Sequence, residues 1–263
     1  MASQMPAATA REVDVTVVAV PAEISDSAFA LLSAVERGRA ATFKRLSDRA
    51  AFVTARVTLR RLLAAETGLD ANAIPIALDA RGRPYLDHPG YGQIDFNLSH
   101  SGALVAIAVA RDGRVGVDVE WHDHARSLRD LVPQVMGAHE AAMLDVLDGD
   151  EFTRRFFGCW TRKEAVVKAD GAGITFPLRT IDVPRVDDGD AVQVRTGSDA
   201  VWSVSTYETL PGYTLSLAVA GNARRVRIHA PDAGAASLHV ADPTVLVRTA
   251  AGSTHRARLP RSR

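Results

Sequence analysis

The sequence predicts an α+β fold of two similar lobes, each a small, mainly antiparallel sheet packed with helices. Strand-like and helix-like segments fall in two comparable batches, one on either side of Gly113. Turn signals such as Asp112-Gly113 leave only a few residues between neighbouring strands, which favours hairpins over a doubly wound parallel sheet. With 263 residues and 47% hydrophobic content, the chain can bury one large core or two small ones. The expected boundaries are 1–112 for an N-terminal lobe, 113–221 for a C-terminal lobe and 222–263 for a basic, flexible tail. No convincing sequence repeat links the halves.

Glu12 to Val20 reads as a first strand, rich in valine with polar residues alternating at its start. Ser25 or Ser27 caps a helix running through Val35. From Ser47 or Asp48, the residues Phe52, Val53, Val57, Leu59, Leu62 and Leu63 recur near helical spacing, and Gly68 stops the helix. Ile74 to Leu78 is a short strand, followed by a turn punctuated by Gly82 and Pro84. Ile94 to Leu98 and Ala103 to Ala110 pair around a loop at 99–102, and the strand Val115 to Glu120 follows. A short helix is expected around Leu128 to Val132, and Leu128, Leu131 and Val132 form an apolar contact patch or belong to the core of the lobe. Glu140 to Leu147 and Glu151 to Ala169 are helices, the second closed by Asp170-Gly171. Ile174 to Val186, Ala191 to Arg195, Val201 to Thr206 and Tyr213 to Ala220 complete the strands. Beyond Asn222, eight arginines stand against Asp232 and Asp242, which reads as a mobile tail.

Composition excludes several classes. Lys+Arg and Asp+Glu both number 31, so nothing draws the whole chain toward nucleic acid or a membrane. Any anion site has to be local. The single cysteine, Cys159, has no internal partner, which fits a reducing compartment. The N-terminus lacks the pattern of a secretion signal, and the longest clean apolar stretch, Ala103 to Ala110, is too short to span a bilayer. A cytoplasmic protein is expected.

Four segments carry chemistry. In Gly116-Val117-Asp118-Val119-Glu120, residues two apart share a strand face, so Asp118 and Glu120 project together. Paired carboxylates repel unless a proton or cation intervenes, and magnesium is the common hard cation beside phosphates. The alternative is a strand end with a wet acidic face. In Trp160-Thr161-Arg162-Lys163-Glu164-Ala165-Val166-Val167-Lys168, Glu164 and Lys168 share a helix face. They form a surface ion pair, or Glu164 is a third carboxylate for the cation and Lys168 serves a phosphate. The segment Phe96-Asn97-Leu98-Ser99-His100-Ser101-Gly102 offers hydroxyl, imidazole and backbone donors to an anion, or is a polar turn. Arg81-Gly82-Arg83-Pro84 sets an arginine fork, suited to phosphate oxygens, beside a tight turn, or is simply exposed. His122-Asp123-His124, beside Asp118, offers a transition-metal site as a further alternative.

In this order and spacing, Gly-Arg-Pro, Phe-Asn-Leu-Ser-His-Ser-Gly, Gly-Val-Asp-Val-Glu and Phe-Phe…Trp-Thr-Arg-Lys-Glu-Ala…Lys resemble the 4'-phosphopantetheinyl transferase family, Sfp type, from about Val13 to Ala220. The resemblance implies a pseudo-two-fold pair of lobes in a monomer. It implies transfer of phosphopantetheine from coenzyme A to a serine of an apo acyl or peptidyl carrier protein, with release of 3',5'-ADP. A magnesium-dependent hydrolase of coenzyme A or nucleotide diphosphates is the alternative enzyme. By resemblance, Asp118, Glu120 and Glu164 hold magnesium, and Glu164 helps to deprotonate the serine. Lys168 neutralises the leaving group, while Ser99 and His100 contact the nucleotide phosphates. Arg83 stands where the family usually has lysine. The family's ligand for the 3'-phosphate falls at Ala51, which leaves Arg49 as the nearest candidate with Arg56 and Arg45 behind it.

Overall fold

A computed structural model describes residues 12–123, 127–173, 175–184, 190–196, 200–221, 225–230, 246–249 and 254–255. The α+β class and the two-lobe plan hold. The N-terminal lobe begins with β1 (Glu12–Ala19), in which buried Val13, Val15 and Val17 alternate with half-buried Glu12, Asp14, Thr16 and Val18. Next come α1 (Asp26–Ala30), α2 (Ala34–Ala41) and the long α3 (Leu46–Thr67). The single helix expected through Val35 is two, because Ser33 caps a second start: its hydroxyl accepts from the Glu36 N–H while Glu36 accepts from the Ser33 N–H. Gly68, at φ 73°, ends α3 in the left-handed conformation that glycine adopts cheaply. The hairpin β2 (Ile76–Leu78) and β3 (Pro84–Leu86) precedes β4 (Ile94–Ser101) and β5 (Leu104–Arg111). The expected loop at 99–102 is mostly strand, since β4 runs through Ser101 and turns at Gly102.

The C-terminal lobe holds β6 (Val115–Trp121), α4 (Val132–Val135), α5 (Ala138–Asp145), α6 (Gly149–Asp170), β7 (Ala191–Arg195), β8 (Val201–Leu210) and β9 (Tyr213–Ala220). Ile174 to Val186, expected as a strand, is irregular where described, with a 3-10 turn at Leu178–Thr180. The lobes share a topology. In one, β1 is followed by a long helix and a hairpin, with strand order β1-β5-β4; in the other, β6 repeats the scheme as β6-β9-β8. Both long helices have 22 residues.

Strand periodicity makes the layers. Val13, Val15 and Val17 of one sheet pack against Val115, Val117 and Val119 of the other, forming a core between the lobes. The opposite faces of the two sheets are covered by α3 and α6.

The boundary expected at 222 needs correction. Residues Arg225–Ala230 form β10, which pairs in parallel with β1 of the N-terminal lobe. Val226, Ile228 and Ala230 are buried, and Arg227 and His229 reach Asp14. A third strand, β11 (Leu246–Thr249), pairs with β10, and β12 (Thr254–His255) with β11. A period-two alternation over six residues was hidden among arginines and small residues.

Candidate active site

The site begins with a glycine. A Cβ on Gly116 would lie 2.0 Å from the Ala165 carbonyl oxygen and 2.5 Å from the Ala169 nitrogen. Only a glycine lets α6 lie directly on β6. Asp118, two residues on, then faces the same helix and the turn that carries Glu164 and Lys168.

Asp118 is 2% exposed. Its Oδ1 accepts from Lys168 Nζ at 2.5 Å and from Ser99 Oγ at 2.8 Å, while the same Ser99 oxygen accepts from Lys168 at 2.9 Å. Its Oδ2 is buried with no hydrogen-bond partner. A buried acceptor left unpaired is costly, so a bound cation or donor is the natural complement. Glu164 lines a cleft of ≈ 230 Å³ with Arg81, Arg83, Asn97 and Lys168. Its carboxyl is pushed up from the usual range by burial and by the Asp118 charge, against the pull of Lys168. Oxygen donors of this kind fit a hard cation. A larger hollow, ≈ 560 Å³, shares Arg83 as a wall but holds none of this cluster.

The structure does not preassemble the three carboxylates. Among the described residues, no three His, Cys, Asp or Glu side chains stand close enough to hold one ion. Glu120 Oε2 accepts from Ser101 Oγ at 2.7 Å, and Lys168 takes Asp118 Oδ1. The expected convergence is therefore realised as an Asp118–Lys168–Ser99 triangle with Glu164 beside it.

The other expected residues divide. His100 is exposed at the end of β4. Desolvation by the surrounding protein and the Lys168 charge hold its imidazole below the usual histidine range, against Asp48 and Asp118. In this state it offers a neutral N–H, not a charge. Arg83 departs from expectation. Its guanidinium binds Asp95 Oδ2 at 2.6 Å, the Phe96 and Val115 carbonyls at 3.2 and 3.1 Å, and the Lys168 carbonyl. That fork is spent on the chain itself because four acceptors from both lobes converge on it. Arg49 is exposed over the Phe29 ring, and Arg56 is half-buried over Phe52 and 3.9 Å from Glu36. Both make these contacts within the helical layer of the N-terminal lobe. Leu128 is lobe core, with Leu131 and Val132 packed against it. His122 bonds Thr214 Oγ1 at 2.7 Å and stacks on Phe157; His124 lies outside the described residues.

Two groups escaped sequence reasoning. Lys163, fully buried, donates to Glu140 and to the Val135 carbonyl, and Glu140 also accepts from Gly137 and Val183 N–H groups. Arg60, 2% exposed, binds Glu36 and the carbonyls of Ala71, Asn72 and Ile74. Local sequence carried no signal for Lys163, which stands between Arg162 and Glu164.

Comparison with known proteins matches the two halves separately. Residues 114–218 match the family described as the 4'-phosphopantetheinyl transferase superfamily, and residues 21–112 match 4'-phosphopantetheinyl transferase, N-terminal. The junction falls at the seam between the lobes. The chain is 31% identical over 152 residues to a putative 4'-phosphopantetheinyl transferase of Synechocystis sp., covering 58% of this chain and 62% of that one. It is 27% identical over 197 residues to a 4'-phosphopantetheinyl transferase of Bacillus subtilis, covering 74% and 85%. It is 29% identical over 164 residues to the 4'-phosphopantetheinyl transferase Sfp of Bacillus subtilis strain 168, covering 62% and 71%.

Proposed function

The chain belongs to the 4'-phosphopantetheinyl transferase superfamily, Sfp type, and from that premise we propose that it transfers 4'-phosphopantetheine from coenzyme A to a serine of an apo carrier protein, releasing 3',5'-ADP. One observation carries the reading. Glu164 and Lys168, one turn apart on α6, line a cleft between the lobes, and Lys168 is bonded to Asp118 of β6, whose other carboxylate oxygen is a buried orphan.

The carrier serine oxygen attacks the β-phosphorus of coenzyme A in line. A new P–O bond forms to the serine, and the bond to the oxygen of 3',5'-ADP breaks. A carboxyl whose pKa is raised above the usual range is a better proton acceptor, so Glu164 takes the hydroxyl proton, directly or through water. Lys168 neutralises charge developing on the departing 5'-phosphate of 3',5'-ADP, and His100 donates an N–H to a phosphate oxygen. Ser99 keeps Asp118 and Lys168 in register. Asp118, Glu120 and Glu164 are the residues that would hold magnesium, which would supply charge neutralisation on the diphosphate when bound. Arg49, Arg56 and Arg45 remain the proposed source of a 3'-phosphate contact.

Among the described residues, no helix is long and apolar enough to cross a membrane. A cytoplasmic monomer that meets acyl or peptidyl carriers completes the proposal. The test is incubation with coenzyme A, magnesium and a panel of apo-carriers. Mass spectrometry should show one added phosphopantetheine on a carrier serine. No adduct on any carrier, or coenzyme A consumed without a carrier, would defeat it.

A further inference from the structure

The seam between the lobes is built from two sheet edges that do not pair as strands. β6 bonds β9 on one side only, and β4 is the edge of its own sheet. Side chains of β4 replace the missing ladder. Asp95 Oδ2 accepts the Val115 N–H at 2.8 Å, Asn97 Oδ1 accepts the Val117 N–H at 3.1 Å, and Ser101 Oγ accepts the Trp121 N–H at 3.1 Å. Between them, Ser99 Oγ donates to the Asp118 carboxylate itself. Residues 95, 97, 99 and 101 share one strand face, so the period of two on β4 meets the period of two on β6. Sliding either strand by one residue would break every rung.

Asp95 is the end rung, and it is fastened twice. The oxygen that accepts from Val115 also accepts from Arg83. Arg83 continues to the Val115 carbonyl and to the carbonyl of Lys168 in the last turn of α6. Its side chain is 9% exposed and that of Asp95 23%. The pair thus touches the strand that presents Asp118 and the helix turn that presents Lys168, without touching either charged tip.

We infer that Asp95, with Arg83, is a positioning pair that sets the lobe seam so that Asp118 and Lys168 meet. Arg83 here serves the alignment of the site, not a phosphate. The inference rests on the proposed transfer reaction for its kinetic readout but not for its structural one.

Asp95→Ala and Asp95→Asn separate the outcomes. Asparagine offers an amide oxygen in the place of Oδ2 and so retains both acceptor bonds. Asp95→Ala should speed hydrogen exchange of the Val115 amide, read by NMR, about fivefold or more. It should lower kcat about tenfold or more while KM for coenzyme A stays within about twofold, the signature of a displaced site with intact ground-state binding. Asp95→Asn should restore both the amide protection and most of kcat. Unchanged exchange and kcat in Asp95→Ala would overturn the inference. So would a raised KM with kcat intact, which would make the pair part of substrate binding. If circular dichroism shows Asp95→Ala unfolded, Asp95→Asn decides: near-parent protection and rate support the pair, and loss of either overturns it. A parent protein without transferase activity would sink the proposed function and leave the exchange readout to judge the seam.

Discussion

Lys168 Nζ lies 2.5 Å from Asp118 Oδ1, joining helix α6 to strand β6 across 50 residues of chain. The carboxylate is thereby half-satisfied, with one oxygen in an ion pair and the other buried and unpartnered. A site poised in this way depends on each charge being present.

Asp118→Ala and Glu164→Ala should each lower transfer to an apo-carrier by about a hundredfold or more, or roughly 2.7 kcal/mol of transition-state stabilisation. Chelation of divalent ions should abolish transfer and excess magnesium should restore it. A radiolabelled coenzyme A assay, with circular dichroism to confirm folding, checks each outcome.

The His100 imidazole should titrate below the usual histidine range in an NMR pH series, because desolvation and the Lys168 charge both disfavour its protonation. Removing that cation in Lys168→Met should raise the His100 pKa. A value that stays in place would show that the two side chains are electrically independent.

Glu164 predicts a stability difference with a definite sign. Burial and Asp118 raise its native pKa above the unfolded value, so the folded state holds the proton more tightly. Stability is then greatest below the unfolded carboxyl pKa and falls as pH rises through the raised one. Glu164→Gln should therefore be more stable than the parent at neutral pH, and the gap should close in acid. Urea denaturation at both pH values, without added metal, measures it.

Lys163→Ala should destabilise the protein by about 3–5 kcal/mol, because it leaves the Glu140 carboxylate buried without its cation. Equilibrium urea unfolding gives the number. A change under about 1 kcal/mol would mean that the pair is solvated in the native state.

Sequence reasoning reached the parts of the site that follow a period. Asp118 and Glu120 were legible as strand alternation, and Glu164 and Lys168 as one helix turn. The sheet of the C-terminal lobe could be read because its valines and leucines alternate. Reasoning failed where a residue's role is set by distant backbone. Arg83 looked like an exposed turn arginine because its four acceptors come from three separate stretches of chain. Lys163 stood beside Glu164 in the same motif, yet its partner Glu140 lies 23 residues upstream on another helix. Asp95 and Asn97 belonged to an apolar strand, and nothing local says that their side chains substitute for strand pairing.

Strand β10 has a consequence for biosynthesis. Its partner β1 emerges from the ribosome first, but Glu12 waits for Arg225 to complete that side of the sheet. At about 5–20 residues per second, the edge of β1 stays open for on the order of ten to forty seconds. During that interval the nascent amino-terminal half exposes a row of unpaired amides and carbonyls, the kind of surface on which chains join one another. Truncation before β10 would make that exposure permanent, and the shortened protein should depend on chaperones that the complete one can do without.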